Sequence, residues 1–315
     1  MPSPSSMRTF NKPLPSFCWL TLYLLASTMV FGQAFLLNHP VRNQFSIRFN
    51  PAFIQAHHIS IITKRITSKK DNAYIVDNGL IEQLKFDQQG NLLCGFHSFL
   101  NKAGQVDTTY FFYAFDREKR PIGIHESLPG CDLFKSTYYQ YAPDGSISKI
   151  KVCRETNISV KLFSFSPGKS EVVSEESYKC EKINALQIKK QFLNDENRPY
   201  KEGIMYLDPA GRIKEESYAF VMAGIKDKTT YDYHSNGLLK EVISSSNDGY
   251  QLHEFYQYDF DKDSSLVGLH FFSNAIKTKD IAYIYSKTTG LVESEVMRDE
   301  KHADMEIIRY SYQFY

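Results

Sequence analysis

The sequence predicts an all-β protein: a long antiparallel β-meander of repeated hairpins, a YD/RHS-like sheet, with a short N-terminal helix. Three observations carry that expectation. Tyr (21) and Phe (23) are abundant while Trp occurs once, a composition that suits strands better than helices. An aromatic residue, a polar turn and an aliphatic residue recur along residues 80–315, with most of the aromatics 24 to 29 residues apart. No apolar stretch after the first 33 residues approaches the roughly 20 residues a membrane helix requires.

Taken in order, residues 1–32 read as a signal peptide. Arg8 and Lys12 precede the apolar run Phe17–Phe31. Val30 and Gly32 then sit at the −3 and −1 positions of a cleavage before Gln33. The run, about 15 residues, is short for a bilayer span. Of 37 Lys and Arg, the two in this leader are lost, leaving 35 against 36 Asp and Glu. That balance gives no electrostatic case for nucleic acid or an anionic membrane surface.

Residues 33–79 form a lead-in, a helix and a first strand, in the same domain as the repeats. Asn50-Pro51 is a helix start, with a capping Asn and Pro at the first helical position. The helix is confined to Pro51–His57, because His58–Thr67 is β-branched and reads as a strand. Lys69–Asn72 is a polar turn.

From residue 80 the hairpin unit repeats, and Tyr231–Val242 shows it most clearly: Tyr231 and Tyr233, a turn with Gly237, then Leu238 and Leu239. Gly supplies positive φ in a tight turn, and Asp, Asn or Pro favours the positions before it. The flanking aromatic and aliphatic residues face each other across the hairpin. The unit is expected at Phe86–Leu92, Phe115–Ile122, Tyr141–Ile147, Phe165–Gly168, Phe192–Pro199, Tyr206–Ile213, Tyr233–Leu239, Tyr258–Leu266 and Tyr285–Val292. The step from Phe192 to Tyr206 is only 14 residues, about one strand, so the pattern slips there. One hairpin cannot bury its apolar face alone, so about eighteen strands stack into one sheet. An open sheet leaves two edges, to be covered by the helix or by a partner chain.

The unit resembles the YD repeats of RHS-type proteins, nearest at Tyr231-Asp232-Tyr233 to Leu239 and at Phe255–Asp259. The lead-in, with its Asn50–Ile54 helix, β-branched strand and Lys-Asp turn, resembles secreted Bacteroidetes proteins of unknown function. These resemblances imply an extended, twisting antiparallel sheet on an exported protein. In RHS toxins such a sheet forms a shell around a toxin; this chain is too short for that shell.

Few residues suggest chemistry. Asp259, Asp261 and Asp263 alternate as a calcium loop requires, although Ser264 stands where Gly is expected and His270 where a bidentate Glu would close the site. The competing reading is a lengthened turn with solvated acids, and no other cofactor is expected. His57-His58, His253-Glu254 and His302–Asp304 lack the second ligand of a metal motif. No GxSxG or Walker loop appears, so the chain is read as non-enzymatic. Aromatic stripes at Tyr110–Tyr113, Tyr138–Tyr141 and Phe255–Tyr258 offer a face for an unidentified protein or glycan.

Four cysteines follow the leader, permitting two disulfides in an exported chain. If Asp116–Arg120 and Pro143-Asp144 lie at one edge, Cys131 and Cys153 end adjacent strands at the other, making them the preferred bridge. Cys180 would lie two strands from Cys153, about 9–10 Å away, beyond disulfide reach.

Ile308–Tyr315 alternates apolar and polar residues up to a terminal aromatic, like the closing strand of an outer-membrane barrel. Charge on both faces of Arg212–Ser217, Leu291–Arg298 and Asp195–Glu202 argues against membrane integration. The expected role is structural or binding, on an exported protein in the periplasm, at the cell surface or outside the cell. The alternative is an outer-membrane β-barrel, and the third reading a secreted hydrolase with an unrecognised site.

Overall fold

The computed structural model describes Ala34, Phe35 and residues 49–315, apart from Asp71, Leu162, Asp195, residues 248–252 and Ala303. The expected signal peptide lies outside the described residues. One helix, α1 (Pro51–Ala56), precedes eighteen strands. The first nine are β1 (Ile59–Lys69), β2 (Val76–Phe86), β3 (Leu92–Leu100), β4 (Val106–Phe115), β5 (Pro121–Ser127), β6 (Leu133–Tyr141), β7 (Ile147–Asn157), β8 (Pro167–Asn184) and β9 (Gln187–Leu193). The rest are β10 (Pro199–Leu207), β11 (Ile213–Phe220), β12 (Lys226–Tyr233), β13 (Leu239–Ser246), β14 (His253–Phe260), β15 (Leu266–Ser273), β16 (Ile276–Tyr285), β17 (Val292–Asp299) and β18 (Asp304–Phe314).

Each strand pairs antiparallel with the next, and β1 pairs with β18 over Ile59–Lys69 and Met305–Phe314. The meander is therefore a closed barrel, which corrects the expected open sheet. Its two edges are joined to each other, and α1 caps neither. The two strands that close it are the β-branched first strand and the alternating last one, both long and free of Pro and Gly. Eighteen strands about 4.8 Å apart, tilted about 40°, enclose a ring roughly 36 Å across.

The tight turns after β2, β4, β6, β8, β10, β12, β14 and β16 all lie at one end, together with the start of β1 and the end of β18. Asp87, Asp116, Asp208 and Asp261 each accept hydrogen bonds from the amides two and four residues on. The backbone then turns through positive φ at Gly90, Lys119, Gly211 and Ser264 respectively. Four tyrosines tie neighbouring hairpins together at this end: Tyr141, Tyr233, Tyr285 and Tyr312 donate to the carbonyls of Pro121, Ile213, Leu266 and Val292 at 2.6–2.7 Å.

The units expected at Phe165–Gly168 and Phe192–Pro199 are misplaced by one strand. Both fall at the opposite end, because β8 runs 18 residues and reaches its tight turn at Asn184–Gln187 with no aromatic before it. The local signal is missing there, so the frame slipped until Tyr206.

Register decides which side chains face the lumen. Ile62 stands opposite Leu84, Leu84 opposite Gly95, and Gly95 opposite Phe111. On the closing side Tyr283, Glu295 and Ile308 align, then Tyr310, Lys64 and Glu82. The N-terminal segment packs on this face: Phe35 against Tyr283, and Phe49 against Phe86 and Tyr310. A short segment can reach β2, β16 and β18 at once only from the concave side. Inside the turn end, Phe35, Phe49, Phe53 and Ile54 join a buried cluster with Ile62, Leu84, Phe86, Tyr231, Val242 and Tyr258.

Six residues of helix cannot persist alone; α1 is held by its site. Asn50 caps it by accepting from the Ala52 amide at 3.0 Å, and Pro51 occupies the first turn. Phe53 and Ile54 are buried, each contributing about 2 kcal/mol of apolar burial.

Candidate functional site

The buried cluster at the turn end takes no residue from β6–β10. There none of the described residues of the N-terminal segment joins the lumen-facing wall in that cluster, and the wall differs in chemistry. Tyr178, Phe192, Lys201 and Phe220 follow one another across β8–β11 in register. Beside them run Cys180, Lys190, Gly203, Tyr218 and Asp227. Lys190 Nζ lies 4.6 and 4.9 Å from the Tyr178 and Phe192 ring centres. Lys201 Nζ lies 4.5–5.4 Å from Phe192, Tyr218 and Phe220, and 3.3 Å from Asp227. Gly203 makes room for this: a Cβ there would fall 2.2 Å from Tyr218 Cδ1. These rings and ammonium groups are half-buried, whereas Cys180 and Lys182 are exposed although they face inward. Lys190 pairs with no carboxylate among the described residues, so its charge is available to a ligand. Ammonium groups over aromatic faces make a wall suited to flat, acidic molecules.

The outer face of the wall is charged. Ion pairs cross it between strands: Lys149–Glu175 at 2.5 Å, Lys189–Glu202 at 3.3 Å, Lys228–Glu215 at 3.1 Å and Lys240–Asp232 at 2.9 Å. His270, also outside, bonds Asp259 at 2.8 Å and Asp280 at 2.5 Å. Burial opposes its charge, but the two carboxylates outweigh that and raise the imidazole above its ordinary value.

One sector of the outer face is apolar and covered. The β7–β8 connection folds Phe165 onto Phe112, Phe134 and His125, the last at 4.0 Å between ring centres. Beneath it Ser136, Glu155 and His125 are buried. His125 Nδ1 is 2.9 Å from Ser136 Oγ and 4.0 Å from Glu155 Oε2, and Tyr138 donates to Glu155 at 2.7 Å. These are the residue types of a hydrolytic triad, but serine and carboxylate share one ring nitrogen. A relay needs them on opposite nitrogens. Desolvation lowers the His125 imidazole, only partly countered by Glu155. Nothing in sequence spacing links these three; only strand register brings them together.

The residues singled out from sequence fall elsewhere. Asp259 is engaged by His270, Asp261 caps its turn like Asp208, and Asp263 is exposed at that turn. Among the described residues no three His, Cys, Asp or Glu side chains are grouped to hold a metal ion. The expected Cys131–Cys153 bridge is not formed, and all four cysteines are free. Cys153 lies on the outer wall of β7, and its β6 neighbour is Ser136, five residues beyond Cys131. That is roughly 16 Å along a strand, far outside disulfide reach. The aromatic stripes do not form one face: Phe111, Tyr113, Tyr139, Tyr141, Tyr256 and Tyr258 face the lumen, and their neighbours face out.

No family model and no curated protein sequence matches this chain. Among solved structures, a porin-like protein from Bacteroides uniformis is similar at 10% identity, over 81% of this chain and 98% of that one, with TM-score 0.38. A porin-like protein from Bacteroides vulgatus is similar at 12% identity, over 69% and 97%, with TM-score 0.30. The Photorhabdus luminescens Tc holotoxin pore is similar at 9% identity, over 72% of this chain and 16% of that one, with TM-score 0.23. Likenesses this distant carry no argument about function, and the expected YD/RHS membership has no family match behind it.

Proposed function

We propose that this chain is an exported, non-enzymatic β-barrel of the cell envelope, and that it binds an acidic glycan against the lumen wall of β8–β12. The observation that carries the reading is the row of Tyr178, Phe192, Lys201 and Phe220, with Lys190 and Tyr218 beside it, on a stretch of lumen wall that contributes nothing from β8–β10 to the buried cluster. Calorimetric titration with oligogalacturonate, and with neutral cello-oligosaccharides as control, tests it. Lys190→Ala with Lys201→Ala is expected to weaken binding of the acidic sugar by about 10- to 100-fold, from two charge-assisted contacts. Equal binding of neutral and acidic sugars, or none of either, would defeat the reading.

The closed barrel favours the architecture of the outer-membrane alternative over an open repeat sheet. An even number of antiparallel strands, with short turns, the start of β1 and the end of β18 at one end, supports that second reading. The outer wall weighs against lipid burial, because charge at the bilayer midplane costs about 2–4 kcal/mol per Lys or Arg. Fractionation separates them: recovery without detergent supports a water-facing wall, and recovery only from outer membrane in detergent supports integration.

A further inference from the structure

The barrel end opposite the tight turns bears the most exposed apolar side chains among the described residues. Val160 is 100% exposed, Met222 94%, Tyr74 93% and Ile276 69%. Val160, Met222 and Tyr74 belong to the connections after β7, β11 and β1, Ile276 opens β16 directly after the connection from β15, and strand order spaces the four around the whole ring. Nothing in their own hairpins covers them. A contiguous apolar patch on one side would fit a globular partner; four tips spread over a circle about 36 Å across fit a flat and extended surface.

Their charged neighbours select the surface. Lys70, Lys161 and Lys226 lie within four residues of Tyr74, Val160 and Met222, all exposed and without an ion pair among the described residues. Lys277, beside Ile276, pairs with Asp280. The polar tips between them carry both signs, Asp132, Glu196 and Glu300 against Lys102, Arg198 and Lys301, with Glu196 paired to Arg198 at 3.2 Å, so among the described tip residues the unbalanced positive charge lies beside the apolar tips. The near-neutral net charge hides this segregation.

We infer that this rim seats on an anionic lipid leaflet, with the four apolar tips entering the headgroup layer and the adjacent lysines pairing with lipid phosphates. Such tips reach only the headgroup boundary, leaving the charged wall in water. The inference does not depend on the lumen reading. Flotation of the purified mature chain with vesicles of phosphatidylcholine, alone or mixed with phosphatidylglycerol, tests it. The chain floats with the anionic vesicles, and raising the salt releases it. The combined variant Tyr74→Ser, Val160→Ser, Met222→Ser, Ile276→Ser keeps the wild-type near-UV circular dichroism and binds at least about tenfold more weakly. Failure of the wild type to float with anionic vesicles overturns the inference, as does flotation of the variant like wild type. Sedimentation of the wild type as a dimer that the same substitutions dissociate would assign the rim to a second copy of this chain instead.

Discussion

The two ends of this barrel are made from the same hairpins yet obey different physics. At the turn end, aspartates organise several turns, four tyrosines tie neighbouring hairpins together, and the N-terminal segment packs between the walls. At the other end the connections vary in length, carry exposed apolar tips and take no part in the buried cluster. Curvature explains the contrast. A ring this wide cannot be filled by its own side chains, so an end is packed only where a further segment enters it. The lining follows the plug: where it packs, Lys64 and Glu295 are buried among the rings and Lys64 is paired with Glu82 at 2.7 Å, and where it does not, Lys190 and Lys201 stand half-buried over theirs.

A matched pair of glycines at the turn end, one against the N-terminal segment and one away from it, measures the contribution of that plug most directly. Gly90 and Gly145 sit in equivalent turns with φ of +83° and +84°. A Cβ at Gly90 would lie 2.0 Å from the Pro51 carbonyl oxygen, whereas at Gly145 nothing lies closer than 4.0 Å. Gly90→Ala should displace the start of α1 and cost about 3–5 kcal/mol, against about 1 kcal/mol of backbone strain for Gly145→Ala. Urea unfolding of both variants reads this out, and equal losses would mean that the plug contributes little.

The tyrosine ties come next in size. Tyr233→Phe and Tyr285→Phe each remove a hydrogen bond to a carbonyl of the preceding turn, a loss of about 1 kcal/mol apiece. Their sites are well separated, so the two losses should add in the double variant.

Two outer-wall histidines sharpen the comparison through pH, with opposite signs. His270 is raised in the folded state, so its contribution is complete below the unfolded value of about 6.5 and is lost as pH climbs through the raised folded value. His125 is lowered, so its contribution is complete above about pH 6.5 and is lost as pH falls towards the lowered folded value. Unfolding midpoints of His270→Asn and His125→Asn measured from pH 5 to 8 should therefore diverge from wild type at opposite ends of that range. Parallel curves would show that the strap over His125 does not keep water out. Smallest of all, the four-tip serine variant should shift unfolding by less than about 0.5 kcal/mol, since those side chains touch little.

Much of the fold was legible locally. Asn50-Pro51 marked α1 to within a residue, the β-branched run marked β1, and most aromatic–turn units marked tight turns correctly, because these depend on backbone preferences a few residues long. β8 escaped because its turn lacks the aromatic. The lysine–aromatic wall of β8–β11 was not legible either: Tyr178, Phe192, Lys201 and Tyr218 become neighbours only through pairing. The disulfide expectation failed for the same reason, since assigning Cys131 and Cys153 to one edge needed a register that turn positions alone did not provide.

The sequence by itself determined that this chain is a meander of about eighteen antiparallel strands with a capped helix before them, through turn chemistry and alternation. Only the tertiary structure decided that β1 meets β18, which face looks inward, and where the N-terminal segment lodges. Closure is a property of summed twist and register over the whole ring, to which each hairpin contributes a small shift, and no local window contains that sum.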